Sequence, residues 1–294
     1  DPLRRRDPLA RDRARRELAD TVLFYQYLQW VADTQWKAAR ADARLCGVKL
    51  YGDLPFTVDG DSADVWARQQ DFRLDQSTGA PPDAFSATGQ DWGTPVYNWP
   101  TIAAGDFAWL RDRARRNADL YDGFRVDHLV GFYRTYARPL DGREPFFTPG
   151  EPAEQLELGE RVLRIFLESG AEIVAEDLGT IPDFVRTSLA RLGVPGFRVF
   201  RWERHWDAEG QPFLDPLDYP PSSVATSGTH DTEPLAVWWE TTASASDRRQ
   251  VEALPTIQRL APGGLPDAYE QSVRDALIEA LFASGSDLLV CPLQ

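Results

Sequence analysis

Four acidic residues in this chain each follow a short run of apolar or small residues. Asp53 follows VKLYG, Asp127 follows GFRV, Glu176 follows EIVA and Asp231 follows VATSGTH. Two facing carboxyl groups can cleave a glycosidic bond, because one attacks the anomeric carbon while the other protonates the leaving oxygen. The four acids therefore predict nucleophilic and acid–base chemistry on a sugar, provided that the fold brings them together.

Asp127 and Glu176 have neighbours that favour different protonation states. Arg125 lies two residues before Asp127, and a nearby guanidinium keeps a carboxylate ionised, as a nucleophile requires. Glu176 follows the apolar run Ile173 to Ala175, where burial would raise the pKa of a carboxyl group toward that of a general acid. A single acid after a strand is more often a helix cap or a turn former. The prediction of a site therefore depends on the four acids taken together.

The segment from Pro81 to Trp99 has the composition of a sugar-binding loop. It reads PPDAFSATGQDWGTPVYNW and mixes aromatic rings with small and polar residues. Aromatic faces stack on sugar rings, and amide or carboxylate groups reach sugar hydroxyls. The residues expected to reach a ligand are Phe85, Gln90, Trp92, Asp91 and Asn98. We expect Tyr97 or Trp99 to hold the loop against the rest of the fold instead.

The elements that would position these residues follow from hydrophobic periodicity. Six β-rich runs are predicted as strands, within 47–56, 121–129, 171–179, 196–202, 222–231 and 287–294. Helical spacing predicts helices within 17–44, 106–121, 154–169, 182–192 and 268–284. The first of these helices is predicted to be amphipathic. Segments 53–105, 133–153 and 201–221 are predicted as long loops that follow strand ends.

This alternation indicates an α/β fold, because parallel neighbouring strands need helical crossovers. A doubly wound open sheet and a (β/α)8 barrel both fit the pattern. In a barrel the C-terminal ends of all strands lie on one face, and residues distant in sequence converge there. The acids at the predicted strand ends would then share one pocket, which favours the barrel.

Composition excludes several classes of partner. The 294 residues carry a formal net charge of −14, which disfavours nucleic acids and anionic membranes and suits a neutral partner. Two cysteines and three histidines give neither a disulfide framework nor metal-ligand spacing. We find no membrane-length apolar run, and the first residues are too charged for a signal peptide. A cytoplasmic protein without metal or cofactor is expected.

Five stretches resemble the 4-α-glucanotransferases, also called amylomaltases or disproportionating enzymes, of the α-amylase clan. They are GDLPF with DSADVWA, PPDAFSATGQDWG, YDGFRVDHLVGF, AEDLG and SGTHDTEPL. They occur in the family's order and span nearly the whole chain, and the long aromatic motif is specific to this family. The resemblance implies that Asp127 is the nucleophile, Glu176 the general acid/base and Asp231 the acid that stabilises the transition state. It implies supporting roles for Asp53, Arg125 and His230.

The resemblance also implies a fold that is incomplete in this chain. The family's (β/α)8 barrel has eight strands, and the chain matches it from the helix before the third strand to the end of the eighth. The first two strands and the last helix would be missing, so that residues 1–294 form one catalytic barrel fragment with an inserted substrate loop at 81–99. The calcium site of the clan is not expected in this family.

The function expected from these residues is retaining transfer between α-1,4-glucans, with a maltooligosaccharide donor and a glucose or glucan acceptor. A hydrolase that uses the same residues is the first alternative. A barrel fragment that binds carbohydrate without reacting is the second.

Overall fold

A computed structural model describes residues 1–82 and 86–293 of the chain. It divides into two compact units, Asp1–Ser188 and Leu189–Gln294. Helices separate the parallel strands of the first unit, and the last two parallel strands of the second, which confirms the predicted α/β class.

Among the described residues, the first unit contains seven strands and the larger share of the helices. Its strands are β1 (Tyr51–Leu54), β2 (Phe72–Ala80), β3 (Gln90–Tyr97), β4 (Gly123–Val126), β5 (Thr135–Pro139), β6 (Phe146–Thr148) and β7 (Glu172–Ala175). Its helices are α1 (Pro8–Glu17), α2 (Ala19–Leu45), α3 (Ala63–Ala67), α4 (Trp99–Ala104), α5 (Ala108–Leu120), α6 (Val130–Tyr133) and α7 (Pro152–Leu167). The next helix, α8 (Asp183–Leu192), includes the boundary between the units.

Strands β1, β4 and β7 form the parallel part of this unit, with β4 in the middle. Leu54 lies beside Val126, and Val126 lies beside Ala175. Buried apolar residues such as Phe124 share these short strands with polar residues such as Arg125. Because the register matches, the C-terminal ends of all three strands lie at the same level. The acids lie at these ends or directly after them.

An antiparallel sheet in the order β3, β2, β5 and β6 corrects two loop predictions. Segments 53–105 and 133–153 were expected to be loops, yet they contain these four strands. The sequence FRLDQSTGA of β2 lacks a regular apolar alternation, and its pairing with β3 shifts register twice. Such bulges disrupt the two-residue period by which strands are detected.

Helix α2 confirms the predicted long helix but corrects its amphipathic character. Leu23, Tyr25 and Trp30 are between 63% and 64% exposed. It contacts the end of α5 and the turn before β4, where buried Arg40 donates to the carbonyls of Asp119 and Tyr121 and to the carboxylate of Asp122.

Asp122 should be the residue that secures α2, and Asp122→Asn should lower the free energy of unfolding by about 2 to 4 kcal/mol. Its carboxylate accepts from the Leu50 amide and from Arg40 and Arg44, and these bonds hold the pKa of Asp122 well below its usual range. A depressed pKa stabilises the fold above the unfolded value, and this stabilisation is lost as the pH falls toward the folded value.

Denaturant titrations at pH 7 and pH 3 would measure the effect of Asp122→Asn, which should be larger at pH 7. The matched control is Asp119→Asn. The Asp119 carboxylate is about half exposed and pairs with Lys37 of α2. That change should alter the free energy of unfolding much less than Asp122→Asn does, because solvent screens an exposed pair. Equal effects of the two changes would contradict the assignment.

The second unit continues the alternation. Its strands are β8 (Gly196–Val199), β9 (Ser223–Thr226) and β10 (Leu288–Val290), and its later helices are α9 (Leu235–Val237), α10 (Ala245–Glu252), α11 (Pro255–Leu260) and α12 (Gln271–Phe282). Strand β9 pairs in parallel with both β8 and β10. Its core includes Phe200, Trp238, Trp239, Ile257 and Leu277, all at most 5% exposed. Each strand and helix that periodicity predicted for this unit is confirmed.

Candidate active site

Three of the predicted acids lie together at the C-terminal ends of the parallel strands of the first unit. Asp53 lies at the next-to-last position of β1, Asp127 directly follows β4 and Glu176 directly follows β7. Because the strands are parallel and in register, their ends carry these side chains to one edge. We call this group, with Arg125 of β4, the acid cluster.

Arg125 connects the three carboxylates of the acid cluster. Its guanidinium donates to Asp53 at 3.1 and 2.9 Å, to Asp127 Oδ1 at 2.6 Å and to Glu176 Oε2 at 3.3 Å. The side chain is 17% exposed. Burial alone would lower the pKa of Arg125, but the three carboxylates raise it overall, so the guanidinium stays charged. One fixed cation therefore sets the spacing of three acids.

Glu176 is the acid of the cluster that holds a proton near neutral pH. Burial, with a smaller contribution from the charge of the adjacent Asp127, raises the pKa of Glu176 to about 7. The His128 amide, which donates to Oε2 at 2.8 Å, and Arg125 act in the opposite direction. The result is a carboxyl group that can both donate and accept a proton at physiological pH.

His128 contacts both the acid cluster and the aromatic segment, residues 81–99. Its backbone is left-handed, with φ of 41°, and its ring lies 5.5 Å from Phe56 and 4.7 Å from Trp92 between ring centroids. Burial lowers the pKa of His128 to about 4, so the imidazole is neutral. A neutral ring can pack between two aromatic rings without adding charge to the cluster.

The aromatic segment brings two predicted contact residues to this place. Trp92 packs edge-on against His128, and its indole N–H donates to Gln90 Oε1 at 2.9 Å. Tyr97 and Trp99 are buried, which confirms that these rings hold the segment to the fold. Phe85 lies outside the described residues. Part of this predicted loop is strand β3.

His230 and Asp231 lie in the second unit, in a loop after β9. Their side chains are 65% and 77% exposed, and His230 Nε2 lies 3.4 Å from Asp231 Oδ2. That Asp231 acts together with the acid cluster stays a prediction.

Within residues 1–82 and 86–293, no group of three or more His, Cys, Asp or Glu side chains could hold a metal ion. None of the helices found in these ranges is both long enough and apolar enough to span a bilayer.

Comparison with known proteins places these features in a family. A family model described as 4-alpha-glucanotransferase, glycoside hydrolase family 77, matches residues 1–294. The chain belongs to this 4-alpha-glucanotransferase family.

Relatives of this 4-alpha-glucanotransferase family member come from distant organisms. The 4-alpha-glucanotransferase of Chlamydia pneumoniae is 38% identical over 275 residues, which cover 93% of this chain and 52% of that protein. The Thermus thermophilus 4-alpha-glucanotransferase is 33% identical over 308 residues, covering 100% of this chain and 58% of that protein. Amylomaltase from Streptococcus agalactiae, solved in complex with acarbose, matches with a TM-score of 0.84 at 26% identity, covering 100% of this chain and 58% of that one. The chain thus spans about half the length of the curated relatives it matches.

Sequence reasoning about this 4-alpha-glucanotransferase family member did not identify His128 as a residue of the site. No glycine marks its left-handed backbone. Its contacts with Glu176 and Trp92 depend on what the neighbouring strands bring close.

Proposed function

We propose that this protein transfers glucan chains between α-1,4-glucans through a covalent glucosyl-enzyme. The observation that carries the proposal is the pairing of Asp127 and Glu176 with one guanidinium, at a place where burial raises the pKa of Glu176 to about 7. A retaining mechanism needs one charged and one protonated carboxyl in this relation.

In the first step, an Asp127 oxygen attacks the anomeric carbon of the donor while Glu176 gives its proton to the departing glycosidic oxygen. The glucosyl group is then bound to Asp127, and the shortened glucan leaves. In the second step, Glu176 takes the proton of an acceptor 4-hydroxyl, whose oxygen attacks the anomeric carbon and releases Asp127. Two displacements at the same carbon retain its configuration.

The closeness of the two carboxyl groups supports retention over inversion. Retaining enzymes separate their carboxyls by about 5 to 5.5 Å, whereas inverting enzymes leave roughly 6.5 to 9.5 Å for a water molecule. Asp127 and Glu176 both accept hydrogen bonds from the Arg125 guanidinium, at 2.6 and 3.3 Å. Asp53, which pairs with the same guanidinium through two bonds, fixes its orientation.

Three further parts of the proposal extend beyond the acid cluster. Asp231 is the third acid, which stabilises the positive charge of the transition state, and His230 supports it. The six parallel strands are strands three to eight of a (β/α)8 barrel, with residues 1–294 as one catalytic part. Parallel pairing within each unit and acids after strand ends support this arrangement.

The proposed substrate is a neutral glucan, held through Gln90, Trp92 and Phe85 and accepted by a second glucan or by glucose. A chain of net charge −14 suits such a ligand better than a polyanion. We further propose a cytoplasmic location, which two exposed free cysteines, Cys46 and Cys291, favour.

Incubation with maltotriose tests the proposed function. Transfer yields glucose together with maltooligosaccharides longer than the substrate, and chromatography of the products would detect both. If all products are shorter than maltotriose, the protein is a hydrolase. Unchanged maltotriose that nevertheless binds would assign it as a carbohydrate-binding protein.

Trp92→Ala should raise hydrolysis relative to transfer. Trp92 packs on His128 beside the acid cluster, where a ring shields the glucosyl-enzyme from water. The ratio of reducing ends released to longer oligomers formed measures the change. Trp206→Ala is the matched control, because Trp206 is 53% exposed in the second unit and should leave the ratio unchanged. An unchanged ratio in Trp92→Ala would refute the shielding role.

A further inference from the structure

Arg201 is a buried cation of the second unit whose contacts converge on one loop. It lies in the turn after β8 and is 5% exposed. Burying a guanidinium costs several kcal/mol of solvation unless its donors find partners. Desolvation indeed lowers the pKa of Arg201, and the nearby Glu233 opposes this only in part. The partners of Arg201 therefore show what the buried charge holds in place.

Those partners stand at the two ends of the segment 227–233. Arg201 Nε donates to the carbonyl of Ser227 at 3.1 Å, directly after β9, and Nη1 donates to the carbonyl of Glu233 at 3.1 Å. Nη1 also lies 3.4 Å from the Glu233 carboxylate. The guanidinium stacks 5.5 Å from the centre of the Trp238 ring. One rigid planar group thus ties both ends of the segment together.

The residues between these ends form a tight loop that presents His230 and Asp231. Thr232 Oγ1 donates to the Thr229 carbonyl at 2.8 Å, and the Asp231 amide lies 3.3 Å from Thr229 Oγ1. Gly228 is needed at the start, since a Cβ there would lie 3.0 Å from Arg201 Nη2 and 2.5 Å from Thr232 Oγ1. The loop backbone packs directly against the guanidinium.

We propose that Arg201 is a positioning residue for Asp231. By joining Ser227 to Glu233, it fixes the loop from which the Asp231 carboxylate projects, so that the acid is in place before substrate arrives. This inference rests on the proposed function, in which Asp231 stabilises the transition state. A lysine cannot replace Arg201, because its single ammonium lacks the planar fork that reaches two carbonyls at once.

Arg201→Lys should lower kcat for transfer about 10- to 100-fold, with little change in KM, because small misplacements of a catalytic group have effects of this size. Arg204→Lys is the matched control. Arg204 is a partly buried arginine of this unit, but it pairs with Asp247 and packs on Phe213 instead of on the loop. It should leave kcat unchanged. Thermal unfolding of both variants verifies that each is folded.

A double-variant cycle separates positioning from general structural support. If Arg201 acts through Asp231, Arg201→Lys should cause no further loss when added to Asp231→Asn. Residual rates with a glycosyl fluoride donor make the comparison measurable. Independent losses that multiply, or an unchanged kcat in Arg201→Lys, would overturn the inference.

Amide hydrogen exchange distinguishes failure of this inference from failure of the proposed function. Faster exchange at residues 229–232 in Arg201→Lys, but not in Arg204→Lys, is expected whether or not Asp231 is catalytic. If exchange is unchanged, the fixing of the loop by Arg201 is wrong. If Asp231→Asn leaves transfer intact while exchange is faster, the proposed role of Asp231 is wrong, and the positioning role falls with it.

Discussion

Asp127→Asn should lower glucan transfer by roughly three orders of magnitude or more while leaving maltotriose binding close to normal. The asparagine keeps the shape and can still accept the hydrogen bond that Arg125 donates to Oδ1, but it has no negative charge with which to attack. Initial rates of glucose release, together with a direct binding titration, measure the two effects separately.

A surface change provides the control for Asp127→Asn. Asp141 is 57% exposed and pairs with Arg143, so Asp141→Asn should retain the full transfer rate. Transfer that survives in Asp127→Asn would show that another group attacks the sugar.

Glu176→Gln should stop transfer from maltotriose but spare the first step with a glycosyl fluoride. Fluoride leaves without a proton, so the missing acid no longer limits attack by Asp127. Release of the intermediate still needs a base, and a covalent sugar should therefore accumulate on Asp127. Mass spectrometry of peptides would locate it, and a sugar on a different residue would contradict the assignment of the nucleophile.

The raised pKa of Glu176 adds a pH dependence to this prediction. Transfer limited by proton donation should decline as the pH rises above about 7, where Glu176 loses its proton. The free energy of unfolding should also decrease as the pH rises. The folded protein keeps a proton that the unfolded chain releases from a carboxyl of ordinary pKa 4.5, so the free energy of unfolding falls between about pH 4.5 and 7. Glu176→Gln should remove this component from the stability profile.

The parallel strands and the acid cluster could be predicted from the sequence because their signals are local. Each strand is a short apolar run, and Asp127 and Glu176 directly follow such runs, while Asp53 lies at the end of another. Parallel strands then place these ends together without further information. Arg125 was identified as a neighbour of Asp127, but its bonds to Asp53 and Glu176 depend on strand order, which no single run reveals.

The antiparallel sheet and the Arg201 contacts could not be predicted, for different reasons. Strand β2 contains bulges that break its period, so it resembles a loop. Arg201 lies in a turn whose sequence, FRW, gives no indication that its partners follow 26 and 32 residues later. Long-range hydrogen bonds to backbone carbonyls depend on no particular residue type in the partner.

The left-handed backbone of His128 has a consequence for protein engineering. An L-residue in this conformation loses roughly 1 to 2 kcal/mol relative to ordinary backbone, so glycine at position 128 would relax the chain. The same change would remove the imidazole that Trp92 packs against. Glycine at position 128 would thus relieve the backbone but lose the packing of the ring and reduce turnover. Variant libraries designed to raise thermal stability should keep His128 and vary exposed residues of the helices instead.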